Sequence, residues 1–247
     1  MLPLTNKTVL ITGASSGLGL SLAKRLTESG ACVCGVSRTK RNWRSAKNTI
    51  HEAKRFFLFQ ADVTSEQATR RLIQKVIKKT GSIDILINNA GYSGRPTRID
   101  AVSLKEFQKH LSSNLNSVFL TCKYLIPIFL KQHKGLIINI SSMAGKRAVP
   151  YLGAYSAAKF GVLALSQAIA KENPEGKFKC ITVCPGGMNT GMRTKLFGRK
   201  DANRQQSPDF VAEIITKVIL GKISVQSGGD IVIRHGRITA VNPPPAP

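Results

Sequence analysis

The chain has 247 residues, 42% of them hydrophobic and 20% charged, enough to bury a continuous core in one domain and too polar for a bundle of membrane spans. Lys and Arg total 37 against 13 Asp and Glu, a formal net charge of +24. The basic residues are spread along the whole chain without an Arg-rich tail or interleaved aromatics, which favours a solvated basic surface over a specific nucleic-acid interface. No apolar run reaches the ~20 residues of a membrane span. The longest, residues 118–130, is broken by Lys123 and Pro127. The first seven residues lead into a strand with no signal-peptide pattern. Five Cys without metal-ligand spacing read as free thiols in a reducing compartment. A cytoplasmic protein without a bound metal is therefore expected.

Residues 7–12 form a short β-branched apolar run of the kind buried in a parallel sheet. They lead into Gly13-Ala-Ser15-Ser16-Gly17-Leu18-Gly19, a helix over 18–28 and a second strand over 30–37. A strand, glycine turn, helix and strand within ~30 residues is the setting in which glycines admit a pyrophosphate to the backbone. The helix N-terminus behind them offers free N–H groups and a partial positive charge. The spacing is Gly-x-x-x-Gly-x-Gly, not the commoner Gly-x-Gly-x-x-Gly. An acidic residue ending the second strand would bond an adenosine ribose and repel a 2′-phosphate. Ser37-Arg38-Thr39-Lys40-Arg41 stands there instead, with Arg38 placed to pair with a phosphate. NADP(H) is therefore expected over NAD(H).

Residues 55–61 read as a third strand ending at Asp62-Val63-Thr64. Asp62 falls at a strand's carboxyl end, where such sheets bind ligands. Thr64 is a candidate cap for a helix over 66–79. The fourth strand, 83–87, closes on Asn88-Asn89-Ala90-Gly91, which suits either close backbone approach to a ligand or an ordinary turn. Residues 103–132 read as helical, and Asn114 interrupts their apolar pattern as a satisfied core amide or part of a water-bridged site. A fifth strand, 135–140, precedes Ser141-Ser142. The helix over 153–171 carries Tyr155 and Lys159, four apart and so on one face. The ammonium is expected to lower the phenol from ~10 toward the working range of a general acid/base.

A sixth strand, 177–183, runs into Cys184-Pro185-Gly186-Gly187-Met188-Asn189-Thr190. Residues 192–204 read as a basic, mobile lid. Its Arg193, Lys195, Arg199, Lys200 and Arg204 would suit an anionic substrate or acyl carrier, although a solvated loop is the plainer reading. Ser207 caps a helix reaching 220 with Pro208 at its first position, and 229–234 is a last strand. Residues 242–247 form a loose Pro-rich tail. Strands alternating with helices throughout imply a single α/β domain over 1–247, a doubly wound, Rossmann-like parallel sheet of about seven strands.

Six separated pieces carry a resemblance to the short-chain dehydrogenase/reductase family. They are the stretch from Thr12 to Gly19, Asp62-Val63, Asn88-Asn-Ala-Gly91, Asn114, the Ser142/Tyr155/Lys159 set, and Pro185-Gly-Gly-Met-Asn-Thr190. The resemblance runs to about Thr190 and more loosely beyond. It implies an NADPH-dependent oxidoreductase acting on a small carbonyl or secondary-alcohol substrate. Tyr155 would be its acid/base. Lys159 would hold the nicotinamide ribose and lower the Tyr155 pKa. Ser142 would bond the substrate carbonyl, and Asn114 would hold a water linking Lys159 to solvent. Gly13, Ser15, Ser16, Gly17, Leu18 and Gly19 would cradle the cofactor phosphates, with Ser37 and Arg38 at the adenosine 2′ position. Asp62, Val63 and Asn89 would line the adenosine side with Ala90 and Gly91 beside them. Pro185, Gly186, Met188 and Thr190 would hold the carboxamide end. Similar proteins pair helices such as 103–132 and 153–171 in homodimers or homotetramers. One departure concerns Arg234-His-Gly-Arg-Ile, which lacks the family's glycine-rich ending in a region that shapes the pocket and an interface. An NADP(H) sensor of the same fold without turnover is the alternative, and the intact Ser142, Tyr155 and Lys159 set argues against it.

Overall fold

The computed structural model describes residues 2–50 and 52–245. Among them are eight strands: β1 (Thr8–Thr12), β2 (Cys32–Ser37), β3 (Phe56–Gln60), β4 (Ile85–Asn88), β5 (Leu136–Ile140), β6 (Lys179–Pro185), β7 (Asp230–Arg234) and β8 (Arg237–Asn242). They form one sheet in the order β3-β2-β1-β4-β5-β6-β7-β8. Every neighbouring pair is parallel except β7 with β8. The helices are α1 (Gly17–Glu28), α2 (Trp43–Thr49), α3 (Glu66–Thr80), α4 (Leu104–Leu111), α5 (Ser117–Gln132), α6 (Gly153–Lys171), α7 (Gly191–Ala202) and α8 (Pro208–Ile219).

Alternation along the strands supplies two apolar faces at once. Val9 and Ile11 pack with Leu22 and Leu26 of α1 and Val211 and Ile215 of α8. Leu10 between them packs with Leu72 of α3, Leu125 and Phe129 of α5, and Val162 of α6. Both faces being covered is why these strands read as continuous apolar runs. A chain of buried polar side chains ties the second layer to the sheet. Thr121 donates to Asn88 Oδ1 at 2.7 Å, Asn88 to Asn139 Oδ1 at 2.9 Å, and Asn139 to Ser166 Oγ at 2.8 Å.

The expected helix over 103–132 is continuous but contains a π-helical turn, Ser112–Asn116, that carries Asn114. Such turns re-aim side chains inside an otherwise regular helix. Four expectations need correction. Residues 192–204 are not an irregular loop. They fold mostly into α7, capped by Thr190 and broken at Gly198, with Arg193 paired to Asp201 across the break and stacked on Phe197. α2 has no counterpart among the expected elements, because it buries only Ala46 and so has no apolar stripe. Ser65, not Thr64, caps α3 by accepting from the Ala68 N–H, while Thr64 bonds to Asp62. Lastly, 229–234 is not the last strand: β8 returns antiparallel through a two-residue turn, His235 and Gly236, both with positive φ as a tight hairpin of this twist requires. The expected tail thus starts inside β8, where Asn242 donates to Asp230, and its last residues, Ala246 and Pro247, lie outside the described residues.

Replacing Asn139 by Ala leaves Asn88 Nδ2 and Ser166 Oγ short of a buried partner. The cost expected is about 2–4 kcal/mol, seen as a lower urea midpoint at unchanged slope. An unmoved midpoint would mean that the chain carries no weight in the core.

Candidate active site

The strand order reverses between β1 and β4, and the cleft of an open α/β sheet lies beyond the carboxyl ends of the strands at such a point. A cleft of about 300 Å³ lies there, lined by Gly13, Ser15, Ser16, Ser37, Arg38, Asp62, Val63, Ala90 and Gly91 from the expected set, together with Thr39, Thr64, Tyr92 and Ser113. The glycine turn is folded as tightly as its residues allow. Gly13 has φ +70°, and a Cβ on Gly19 would lie 2.2 Å from Gly13 O. Asn89 stitches this turn to β4 by donating from Nδ2 to Thr12 O and Gly13 O, at 3.0 and 3.3 Å. Thr12, to which the sequence assigns no role of its own, accepts from the Asn89 and Ala90 N–H groups through its hydroxyl.

Not every expected residue lines the cleft with its side chain. Leu18 is buried in the core, so only its backbone is available to a ligand. The Ser37 hydroxyl is spoken for: it donates to Thr39 O and accepts from the Trp43 indole. Asp62 accepts twice from Thr64. Thr190 approaches the glycine turn from β6, since a Cβ on Gly17 would meet its methyl at 3.4 Å. Pro185 ends β6, and Gly186 donates from its N–H to Ile233 O. Met188 packs against the α1–α8 layer.

Beyond the cleft, α6 presents the Tyr155 and Lys159 pair. Lys159 is 4% exposed, and its Nζ donates to Ile140 O at 2.8 Å and lies 5.8 Å from the centre of the Tyr155 ring. Burial lowers its pKa from 10.5 to about 8. Tyr155 moves the other way from the expectation. Burial raises the phenol above its ordinary 10, and only the neighbouring Ser142 hydroxyl pulls it back. The ammonium is spent on a backbone carbonyl and sits under the ring, so desolvation of the phenolate wins. The two serines after β5 face opposite ways, as strand geometry dictates. Ser141 donates to Lys159 O, whereas Ser142 accepts from the Ala144 N–H and turns its hydroxyl toward Tyr155. Asn114 is fully buried and satisfied: Nδ2 donates to Tyr92 O and His110 O, and Oδ1 accepts from the Tyr92 N–H. The same Oδ1 would lie 2.9 Å, and Lys159 Nζ 3.9 Å, from a Cβ placed on Gly91.

The pattern of the short chain dehydrogenase family matches residues 7–201. The chain belongs to that family of oxidoreductases. It is 32% identical over 227 residues to an NADPH-dependent pterin aldehyde reductase of Arabidopsis thaliana, covering 92% of this chain and 93% of that one. Among solved structures, a 3-ketoacyl-(acyl-carrier-protein) reductase from Brucella melitensis complexed with NADH superposes with a TM-score of 0.85 at 29% identity, over 93% of this chain and 97% of that one. ElxO with NADP bound gives 0.84 at 26% identity, over 92% and 96%. No helix among the described residues is long and apolar enough to cross a membrane.

The residues present fit a dinucleotide. α1 has Ser16 as its N-cap with no side-chain cap bond, so its first-turn N–H groups are left for an anion, and at Gly19 there is no room for a Cβ. Arg38 stands exposed at the cleft.

A buried cation is costly only while charged, so Lys159 gives a signed test. Between pH about 8 and about 10.5 the unfolded chain holds more protons at this site than the folded one. Wild type should therefore gain stability over this window relative to Lys159→Met, followed by urea unfolding at stepped pH. Parallel stability curves would contradict the burial of a charged amine.

Proposed function

We propose that the protein is an NADPH-dependent carbonyl reductase, reversible as an alcohol dehydrogenase, acting on a small aldehyde, ketone or secondary alcohol. One observation carries the reading: the Tyr155 phenol, with the Ser142 hydroxyl beside it, stands over buried Lys159, whose Nζ comes close to Gly91 at the edge of the carboxyl-end cleft. NADPH, when bound, supplies the hydride. The Ser142 hydroxyl, next to Tyr155, would bond the oxygen of a substrate carbonyl as negative charge develops on it. Tyr155 gives that oxygen its proton. Because burial holds the phenol above 10, it is in its proton-bearing form at neutral pH, which favours reduction. Lys159 would bond the nicotinamide ribose, and Asn114, by gripping the backbone of Tyr92, keeps the chain after β4 folded against it.

Arg38 supports NADP(H) over NAD(H), since an exposed guanidinium at the end of β2 is suited to a 2′-phosphate. The NADPH-dependent relative points the same way, while the NADH-bound neighbour does not. Lys195, Arg199, Lys200 and Arg204 are exposed on and just after α7, and an anionic group on the substrate would meet them there. A homodimer or homotetramer would pair the outer faces of α5 and α6, where Phe119 and Phe160 are 46% and 43% exposed. A cytoplasmic location suits the free thiols.

Tyr155→Phe should cut NADPH oxidation with a carbonyl substrate by roughly 10²–10⁴ while NADPH still binds. Full turnover in the variant would remove Tyr155 from the acid's role. Arg38→Glu should weaken NADPH by roughly tenfold or more and NADH far less, measured by fluorescence titration. Equal losses for both cofactors would place the 2′-phosphate elsewhere.

A further inference from the structure

His110 lies one helical turn before Asn114 and is 4% exposed. Its Nδ1 is the buried side-chain polar atom left without a partner among the described residues. The other nitrogen, Nε2, is 3.6 Å from Glu106 Oε1, which also accepts from the Tyr92 hydroxyl at 2.7 Å. A carboxylate only accepts, so its charge favours the imidazole proton on Nε2, which leaves a bare lone pair on Nδ1. Gly94 presses on the Nε2 side, where a Cβ would come within 2.6 Å, and so closes it. The ring packs against Tyr92 at 5.1 Å and meets Tyr155 edge-on at 6.3 Å. Burial and the neighbouring Lys109 hold the imidazole neutral against the pull of Glu106. His110 and Tyr155 together line a narrow recess between the loop after β4 and the start of α6, with about 10 Å³ of room, the space of one water-sized group.

We propose that His110 recognises a hydrogen-bond donor, a hydroxyl or N–H, carried beside the carbonyl group of the substrate. Resting on the reductase reading for the carbonyl's place at Tyr155, this narrows the substrate class to α-hydroxy or α-amino carbonyl compounds. A bare hydrocarbon ketone leaves the buried lone pair unpaired, and a bulkier ether oxygen offers no proton and does not fit the recess. A site built to pair a donor discriminates against the analogue that lacks it far more strongly than an apolar wall does.

The test compares hydroxyacetone with methoxyacetone. In the NADPH-loaded protein, hydroxyacetone should shift the Nδ1 nitrogen resonance of His110, assigned among 4 His by through-bond correlation to its own backbone in the wild-type protein, and methoxyacetone should not. In turnover, wild type should prefer hydroxyacetone in kcat/KM by roughly tenfold or more, and His110→Leu should bring that ratio toward one. An unmoved resonance, or a preference that survives His110→Leu, would overturn the assignment and leave Nδ1 to a structural water. The resonance shift is read on wild-type protein, so it decides the matter even if the variant folds poorly. A shifted resonance without turnover would uphold His110 and sink the reductase reading. Turnover without a shift would do the reverse.

Discussion

The burial of one ammonium, that of Lys159, organises the reactive end of this molecule. A charge so far from water is tolerated only if something fixed replaces its solvent. Ile140 O supplies one bond, and the surroundings are drawn close by two glycines. Gly91 lets the chain after β4 pass beside Nζ, and Gly145 lets the turn after Ser142 press on the Lys159 carbonyl, where a Cβ would come within 2.6 Å. Ser141 holds that carbonyl, which frees Ser142 for the open side. Desolvation does not stop at the lysine. It also reaches Tyr155, whose phenol it keeps protonated.

The cleft and the pair are products of one topology. A parallel sheet with helices on both faces places every strand's carboxyl end on one edge, and the reversal between β1 and β4 opens that edge. The turn from β1 and the turn from β4 are then sewn together by Thr12 and Asn89, so the cradle is pre-formed. Thr190 closes on the same turn from β6. Rigidity here matters because a hydride acceptor and a proton donor must be held within a narrow range of distance and angle.

Much of this is legible in the sequence because it depends on local rules. The strands of the buried sheet are short β-branched runs, α8 announces itself with Ser207 and Pro208, and α6 has the bounds its apolar pattern implies. What escapes depends on contacts and burial that only the folded chain brings about. α2 is too polar to show a stripe, and the bond from its Trp43 indole to Ser37 is not a sequence signal. β8 carries a signal, His235-Gly236 ahead of a run alternating from Arg237 to Asn242, but a weak one, because His-Gly is not among the Asn-Gly, Asp-Gly and Gly-Gly pairs that mark such turns. The basic composition of residues 192–204 hides a helix whose Arg193 is neutralised by Asp201. The direction of the Tyr155 shift cannot come from spacing: residues four apart share a face, but spacing says nothing of how much water they lose. His110, in the same way, is just one more residue of an amphipathic helix until the fold leaves its Nδ1 alone.

The most direct measurement of the central claim follows the hydride itself. The protein would be incubated with NADPH deuterated on both faces of the reactive nicotinamide carbon and a panel of aldehydes and ketones, and the alcohols recovered for mass and NMR analysis. Deuterium on the carbinol carbon, one atom per molecule of alcohol and per NADPH consumed, is the result expected of a reductase built around Tyr155 and Lys159. NADPH binding without a labelled alcohol from any member of the panel would contradict it.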